Sequence, residues 1–354
     1  MMMSDSPKHT VLESLNRSLL HAMQSDERVY LLGEDITDPY GGSFKVTKGL
    51  STAFPGRVLS TPISEAGFTG IAAGMAMRGL LPVVEIMFGD FVTLIADQVI
   101  NHISKFSWMY GEDVHVPLVI RTPMGGRRGY GPTHSQTLEK LFFGVPGLVV
   151  LAPTALGDAG RLLESAIFEE EMPVIFIENK LLYTSRLFNP NENPDFVLQE
   201  IQPRGESSAA LKRYPVYELT IAGAPEHDLT LVTYGYMAEI AREAMLRLAY
   251  DDEIFIDLIV MTAITQPYER STQHSLAKTG RLLILEEGTA AFGWGAEIVA
   301  SVVENAEFQL QRVKRLAGMN SPIPASGYLE KQILPGVEDV IKTVRQMVRG
   351  TQVV

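Results

Sequence analysis

Short, uninterrupted apolar runs recur along this chain, and each is separated from the next by a stretch with helical spacing. Residues 29–32, 83–86, 118–121, 148–151 and 174–177 do not alternate polar with apolar side chains, so they read as strands buried on both faces. Residues 11–23, 44–54, 66–78, 91–110 and 155–168 have the periodicity of helices. Strand and helix in alternation predict an α/β fold whose sheet is mostly parallel and covered on both sides.

The pattern breaks after residue 186, where Pro190, Pro194, Pro203, Pro215 and Pro225 punctuate a polar stretch. It resumes with strands at 229–233, 254–259 and 282–285 and helices at 238–249, 295–303 and 337–348. A chain of 354 residues is long enough for two domains. The expectation is a first parallel-sheet domain over 1–186, a connection over 187–228 and a smaller α/β domain over 229–354.

Composition removes several functions. With 30 basic and 42 acidic residues the net charge is −12, which disfavours nucleic acid or an anionic membrane as a partner. The absence of cysteine excludes disulfides, thiolate nucleophiles, zinc–thiolate sites and iron–sulfur clusters. Residues 1–10 lack the apolar core of a signal peptide, and no apolar run approaches the ~18 residues of a membrane span. A soluble cytoplasmic protein is expected.

Three segments stand out chemically. Thr61-Pro-Ile-Ser-Glu65 leads into a helix, with Ser64 placed to cap it and Glu65 in the first turn, where the helix dipole favours an anion. Two readings of Glu65 are open: surface dipole compensation, or a buried functional carboxylate among small apolar neighbours. Gly70 and Gly74 then line one face of that helix, through tight packing or the close approach of another backbone or ligand. The segment matches neither a dinucleotide fingerprint nor a phosphate loop. His134 lies in Gly131-Pro-Thr-His-Ser-Gln136, where Ser135 is placed to cap a following helix. Arg127 and Arg128 lie between glycines in a mobile or tightly turning loop, as solvated residues or as contacts for a carboxylate or an acidic domain.

Taken in order, Leu32-Gly-Glu-Asp-Ile, Tyr40-Gly-Gly-Ser-Phe-Lys-Val-Thr-Lys-Gly-Leu, Thr61-Pro-Ile-Ser-Glu-Ala, Gly79-Leu-Leu-Pro-Val-Val-Glu-Ile-Met, Asp97-Gln-Val-Ile-Asn, Pro117-Leu-Val-Ile-Arg-Thr-Pro, His134-Ser-Gln and Val145-Pro-Gly-Leu resemble the β chain of 2-oxo acid dehydrogenases. The resemblance runs on through Glu287-Gly, Gly295-Ala-Glu-Ile and Pro322-Ile-Pro and covers nearly the whole chain. It implies a pyrimidine-binding domain followed by a transketolase-type C-terminal domain, and oxidative decarboxylation of pyruvate or a similar 2-oxo acid with acyl transfer to a lipoyl group. By the same resemblance, Glu65 hydrogen-bonds the aminopyrimidine of thiamine diphosphate and Met87 and Phe91 contact that ring. His134 takes part in substrate handling and acyl transfer, as a side chain that can both donate and accept a proton. The glycine face at 70 and 74 meets its counterpart across a subunit interface. Backbone carbonyls at Leu118, Ala166 and Ile167 take part in binding potassium, although Glu169-Glu-Glu-Met-Pro173 is one residue longer than usual there.

One family element is missing. The diphosphate and its Mg²⁺ are held through a Gly-Asp-Gly segment with an Asn-containing tail, and the nearest string here, Phe88-Gly-Asp-Phe91, lacks the second glycine and the tail. In two-chain members that motif sits on an α chain. The expectation is an α2β2 assembly in which this chain alone is inactive, docked to a lipoyl acyltransferase core. Phe292 and Trp294 depart from the usual Gly-Gly-Phe-Gly stretch, which puts the form of that docking or of the inter-domain contact in doubt. Two alternatives stay open: a β-like subunit of a biosynthetic enzyme with a non-lipoyl acceptor, and a scaffolding paralogue without turnover.

Overall fold

The computed structural model describes residues 9–111, 113–201, 214–265 and 270–350. In the first domain, β1 (Val29–Gly33), β2 (Val58–Ser60), β3 (Leu81–Glu85), β4 (Val119–Met124), β5 (Val149–Leu151) and β6 (Val174–Asn179) form a six-stranded sheet in the order β2-β1-β3-β4-β6-β5. Every pairing in it is parallel. The continuous apolar runs are explained by layers on both faces. On one side lies α1 (Val11–Ser25), closed at its start by a reciprocal box between Thr10 and Glu13, with Val11, Leu15, Leu19 and Ala22 facing inward. It packs on α5 (Ala159–Phe168). On the other side lies α3 (Glu65–Met77), burying Phe68, Ala72, Ala73 and Ala76.

Two expected helices are shorter or broken. Of residues 44–54 only Leu50–Ala53 (α2) is helical, because Lys45 and Gly49 take left-handed backbone and Asp38 instead accepts from the Gly49 and Thr52 N–H groups. Residues 91–110 divide into a 3-10 turn over Gly89–Ile95, a π turn over Gln98–Ile103 and α4 (Phe106–Met109). Val92, Ile95, Val99 and Ile103 are still buried, so the apolar period was real while the hydrogen bonding differs. Ser64 occupies the cap position of α3, but its hydroxyl makes no capping bond.

The second sheet has the order β12-β11-β9-β10-β8-β7. Its strands are β7 (Phe196–Ile201), β8 (Val216–Ile221), β9 (Leu229–Tyr234), β10 (Ile256–Met261), β11 (Arg281–Thr289) and β12 (Arg312–Gly318). Strands β9 to β12 are parallel, whereas β8 runs antiparallel to β10 and β7 antiparallel to β8. Residues 187–228, read above as a connection, therefore contribute two sheet strands. Pro194 and Pro215 flank these strands rather than interrupt them, which is where a residue without an N–H is tolerated; Pro203 lies outside the described residues. Helices α6 (Met237–Asp252), α7 (Arg270–Thr279), α8 (Trp294–Asn305), α9 (Gly327–Ile333) and α10 (Val337–Arg349) complete the domain. No helix among the described residues is long and apolar enough to cross a membrane.

Candidate active site

The carboxyl ends of the parallel strands in the first domain carry the chemistry. Glu34 follows β1, Glu65 follows β2, Met87 to Phe91 follow β3, the His134 loop follows β4, and Lys180 follows β6. In open α/β sheets this rim is where ligands bind.

Glu65 is only 6% exposed, so the surface reading is excluded. It opens α3, whose dipole favours its charge, and no described residue donates a hydrogen bond to its carboxylate. Glu34 is equally buried, and its Oε1 has no partner. Burial, then the charge of Glu65, then that of Asp35 push the Glu34 carboxyl above its ordinary range. Two buried carboxylates with open acceptor sites form a niche that a polar N–H donor would satisfy.

Phe88, Phe91 and His134 form an aromatic cluster. The His134 ring meets Phe88 edge to face at 4.9 Å and Phe91 at 5.4 Å, and the two phenyl rings are 5.9 Å apart. Met87 is half-buried beside them in sequence. His134 Nδ1 lies 3.0 Å from Thr133 Oγ1. Asp90 is buried; its Oδ1 accepts from the Gln136 backbone N–H (3.3 Å) and side-chain amide (2.8 Å), while its Oδ2 has no partner among the described residues. Ser135 caps no helix. Its hydroxyl is buried without a partner, and the next regular element is a single 3-10 turn at Glu139–Leu141.

The loop over residues 125–131 is clasped by the second domain rather than mobile. Gly126 N–H donates to Glu287 Oε1 at 2.6 Å, Arg127 N–H to Glu330 Oε1 at 2.6 Å and Gly129 N–H to Glu330 Oε2 at 3.2 Å. A Cβ on Gly126 would lie 2.6 Å from the tip of the Leu334 side chain, so a larger residue there would make that side chain shift. The Arg127 guanidinium turns inward to the Pro335 carbonyl (2.8 Å) and toward Glu287. Arg128 donates to the Lys180 carbonyl (3.1 Å) and lies over Phe44. Both arginines thus brace the loop through contacts within the chain, Arg127 half-buried and Arg128 exposed. Elsewhere at the boundary, Tyr234 donates to Glu139 (2.5 Å), and Trp294 is buried against Tyr234 while Phe292 is exposed.

Beneath the rim, Arg121 ties three strands together. It donates to Glu178 on β6 through two nitrogens, both at 2.7 Å, and to Glu85 on β3 at 3.0 Å; Tyr183 adds a bond to Glu178 at 2.6 Å. All four side chains are buried.

Leu118, Ala166 and Ile167 are not part of this cluster. Leu118 precedes β4, at the opposite end of the sheet, and its carbonyl accepts from Val174 N–H at 2.8 Å. Ala166 and Ile167 are buried near the end of α5. In the extended turn after that helix Glu170 is buried, and its carboxylate accepts from Glu171 N–H, Met172 N–H and the Tyr214 hydroxyl.

Four features escaped the sequence reading: Glu34, Phe88, Lys180 and the clasp formed by Glu287 and Glu330. Glu34 and Glu287 were visible only inside family strings. A phenylalanine after an apolar strand reads as core, and a lysine at a strand end reads as solvated.

Comparison with known proteins accords with this geometry. Residues 8–186 match the family model described as transketolase, pyrimidine binding domain, and residues 221–340 match transketolase, C-terminal domain. Fold and rim together define a transketolase-type protein. A solved split-gene transketolase, an inactive beta4 tetramer, shares the fold at a TM-score of 0.69 and 18% identity, covering 96% of this chain and 98% of that one. The pyruvate dehydrogenase E1 component subunit beta-1 of Arabidopsis thaliana is 38% identical over 95% of this chain and 88% of its own length. The subunit beta of Rickettsia bellii is 34% identical over 96% of this chain and 98% of its own. The chain belongs to the family of pyruvate dehydrogenase E1 component beta subunits.

Proposed function

We propose that this chain is the β subunit of a 2-oxo acid dehydrogenase, acting with an α subunit on pyruvate or a related 2-oxo acid and passing the acyl group to a lipoyl group. The observation that carries this reading is Glu65, a buried first-turn carboxylate that receives no hydrogen bond from the described residues. That niche fits the aminopyrimidine of thiamine diphosphate, which Glu65 would hold through its ring nitrogen. Met87 and Phe91 would offer a thioether and an aromatic face to the ring. When bound, the cofactor supplies the electron sink for decarboxylation. Glu65 orients it and stabilises one protonation state, and His134 moves a proton during acyl transfer.

The diphosphate and its Mg²⁺ fall to the α subunit in this reading, because Phe88-Gly-Asp-Phe91 lacks the second glycine and the Asn-containing tail. The outward face of α3 supports a subunit contact. A methyl group placed on Gly70 or Gly74 would meet nothing within 4 Å beyond the helix's own backbone, and Ile63 and Ile71 beside them are exposed. Potassium at the Leu118, Ala166 and Ile167 carbonyls, an α2β2 assembly and a lipoyl acyltransferase core belong to the same proposal.

His134→Ala tests the division of labour. In the reconstituted enzyme, acylation of a lipoyl domain should fall ~10²–10⁴-fold, the range for loss of a general acid–base group. Decarboxylation followed with an artificial electron acceptor should fall much less. Equal losses in both assays would contradict the assignment.

A further inference from the structure

We propose that Lys180 is the positioning residue for His134, fixing both ends of the loop that presents the imidazole. This rests on the reading of His134 given above. Lys180 is completely buried, with 0% exposure, directly after β6. Its ammonium donates to the His134 peptide carbonyl, while its own carbonyl accepts from Arg128 at 3.1 Å. Its backbone N–H donates to the Met124 carbonyl at 3.0 Å, which joins it to the end of β4 where the loop begins. One residue therefore holds the start of the loop, Arg128 and His134 together.

The surroundings of the ammonium suit a working charge. Buried lysines ordinarily pair with carboxylates. Here Nζ lies 5.3 Å from the Phe88 ring centroid and 5.5 Å from that of Tyr130, and no described carboxylate comes within ion-pair distance. Phe88 is also the ring that His134 meets at 4.9 Å, so the lysine supports the imidazole through its carbonyl and through its neighbour. Burial lowers the ammonium to about 8; Asp90, Glu287 and Glu330 act against that shift and Arg128 adds to it. Those groups, with His134 and Tyr130, are the charged and titratable neighbours on the 3-10 turn, β11, α9 and the loop. Loss of the ammonium proton as pH rises through this range weakens the hold on the His134 carbonyl, because a charged donor bonds more strongly than a neutral one.

The test uses the assembled holoenzyme with Lys180→Met, Lys180→Arg and His134→Ala. Lipoyl acylation and decarboxylation are measured from neutral to alkaline pH, and the rate of His134 modification by diethyl pyrocarbonate is read by peptide mass. A misplacement of about 1 Å lowers rate ~10²-fold, so Lys180→Met should lose acylation by about that factor and decarboxylation far less. Its His134 should react faster with the reagent. The alkaline fall in acylation near pH 8 should vanish in Lys180→Met and move to higher pH in Lys180→Arg, which should recover most acylation. Parent-like acylation and His134 reactivity in Lys180→Met would overturn the proposal while leaving a selective His134→Ala defect, and with it the functional reading, intact. A His134→Ala variant that spares acylation would defeat both. Should Lys180→Met fail to assemble, Lys180→Arg decides: an unmoved alkaline limb overturns the proposal.

Discussion

Glu65→Gln, assembled with an α subunit, is expected to lose ~10²–10⁴-fold in 2-oxo acid decarboxylation, the range associated with removal of a positioned acid–base group. Glutamine keeps the size of the side chain and its place in the first turn of α3, so packing of Phe68, Ala72 and Ala73 beneath it is unchanged. What is lost is the ionisable oxygen that no described residue of the chain satisfies. The outward glycine face of α3 is also untouched, so the variant should assemble as the parent does. Removing one of two interacting carboxylates should also make Glu34 easier to ionise, since the charge of Glu65 contributes to its raised pKa. Turnover, sedimentation and thermal unfolding measured together separate these effects. Turnover within about threefold of the parent would reduce Glu65 to a dipole-compensating side chain, whose worth is only about 0.3–1 kcal/mol.

Arg121→Met should destabilise the fold by about 3–5 kcal/mol, the usual effect of removing one partner from a buried ion pair. The guanidinium is 2% exposed and bonds carboxylates on both neighbouring strands. Burial opposes its charge, but Glu178 and Glu85 more than compensate and hold its pKa above the ordinary value. Methionine would leave Glu85 and Glu178 facing each other in a dry interior, with only the Tyr183 hydroxyl to serve them. The expected signs are a lowered unfolding midpoint in denaturant and a lowered unfolding temperature. Activity should fall with stability, because the same three strands carry Phe88, His134 and Lys180 at their ends. A variant as stable as the parent would mean that the network is solvated in a way its burial does not suggest.

The sheet of the first domain was legible because a strand buried on both faces leaves an uninterrupted apolar run. Strands β7, β8 and β12 were not, for a shared reason. They lie toward the edges of the second sheet, where side chains meet water and the polar positions of β7 and the Arg312-Val-Lys-Arg start of β12 erase the signal. Helix periods located buried faces but not hydrogen-bond patterns, as the 3-10 and π turns between Gly89 and Ile103 demonstrate. Glu65, Phe91 and His134 could be singled out in the sequence from local motif and family likeness. The support under His134 could not, because Lys180, Glu287 and Glu330 reach the loop from positions 46 to 203 residues away. No local pattern encodes a lysine that donates to a carbonyl beside two aromatic faces.

If Glu65 is half of a site whose diphosphate-binding half lies on another chain, neither chain should turn over without the other. The decisive measurement is decarboxylation of pyruvate, with thiamine diphosphate and Mg²⁺ present, by this chain alone and by this chain titrated with an α subunit. No turnover for the chain alone, and turnover that rises with added α subunit to saturation at equal amounts of the two chains, is the predicted result. Sustained turnover by the purified chain alone would contradict it.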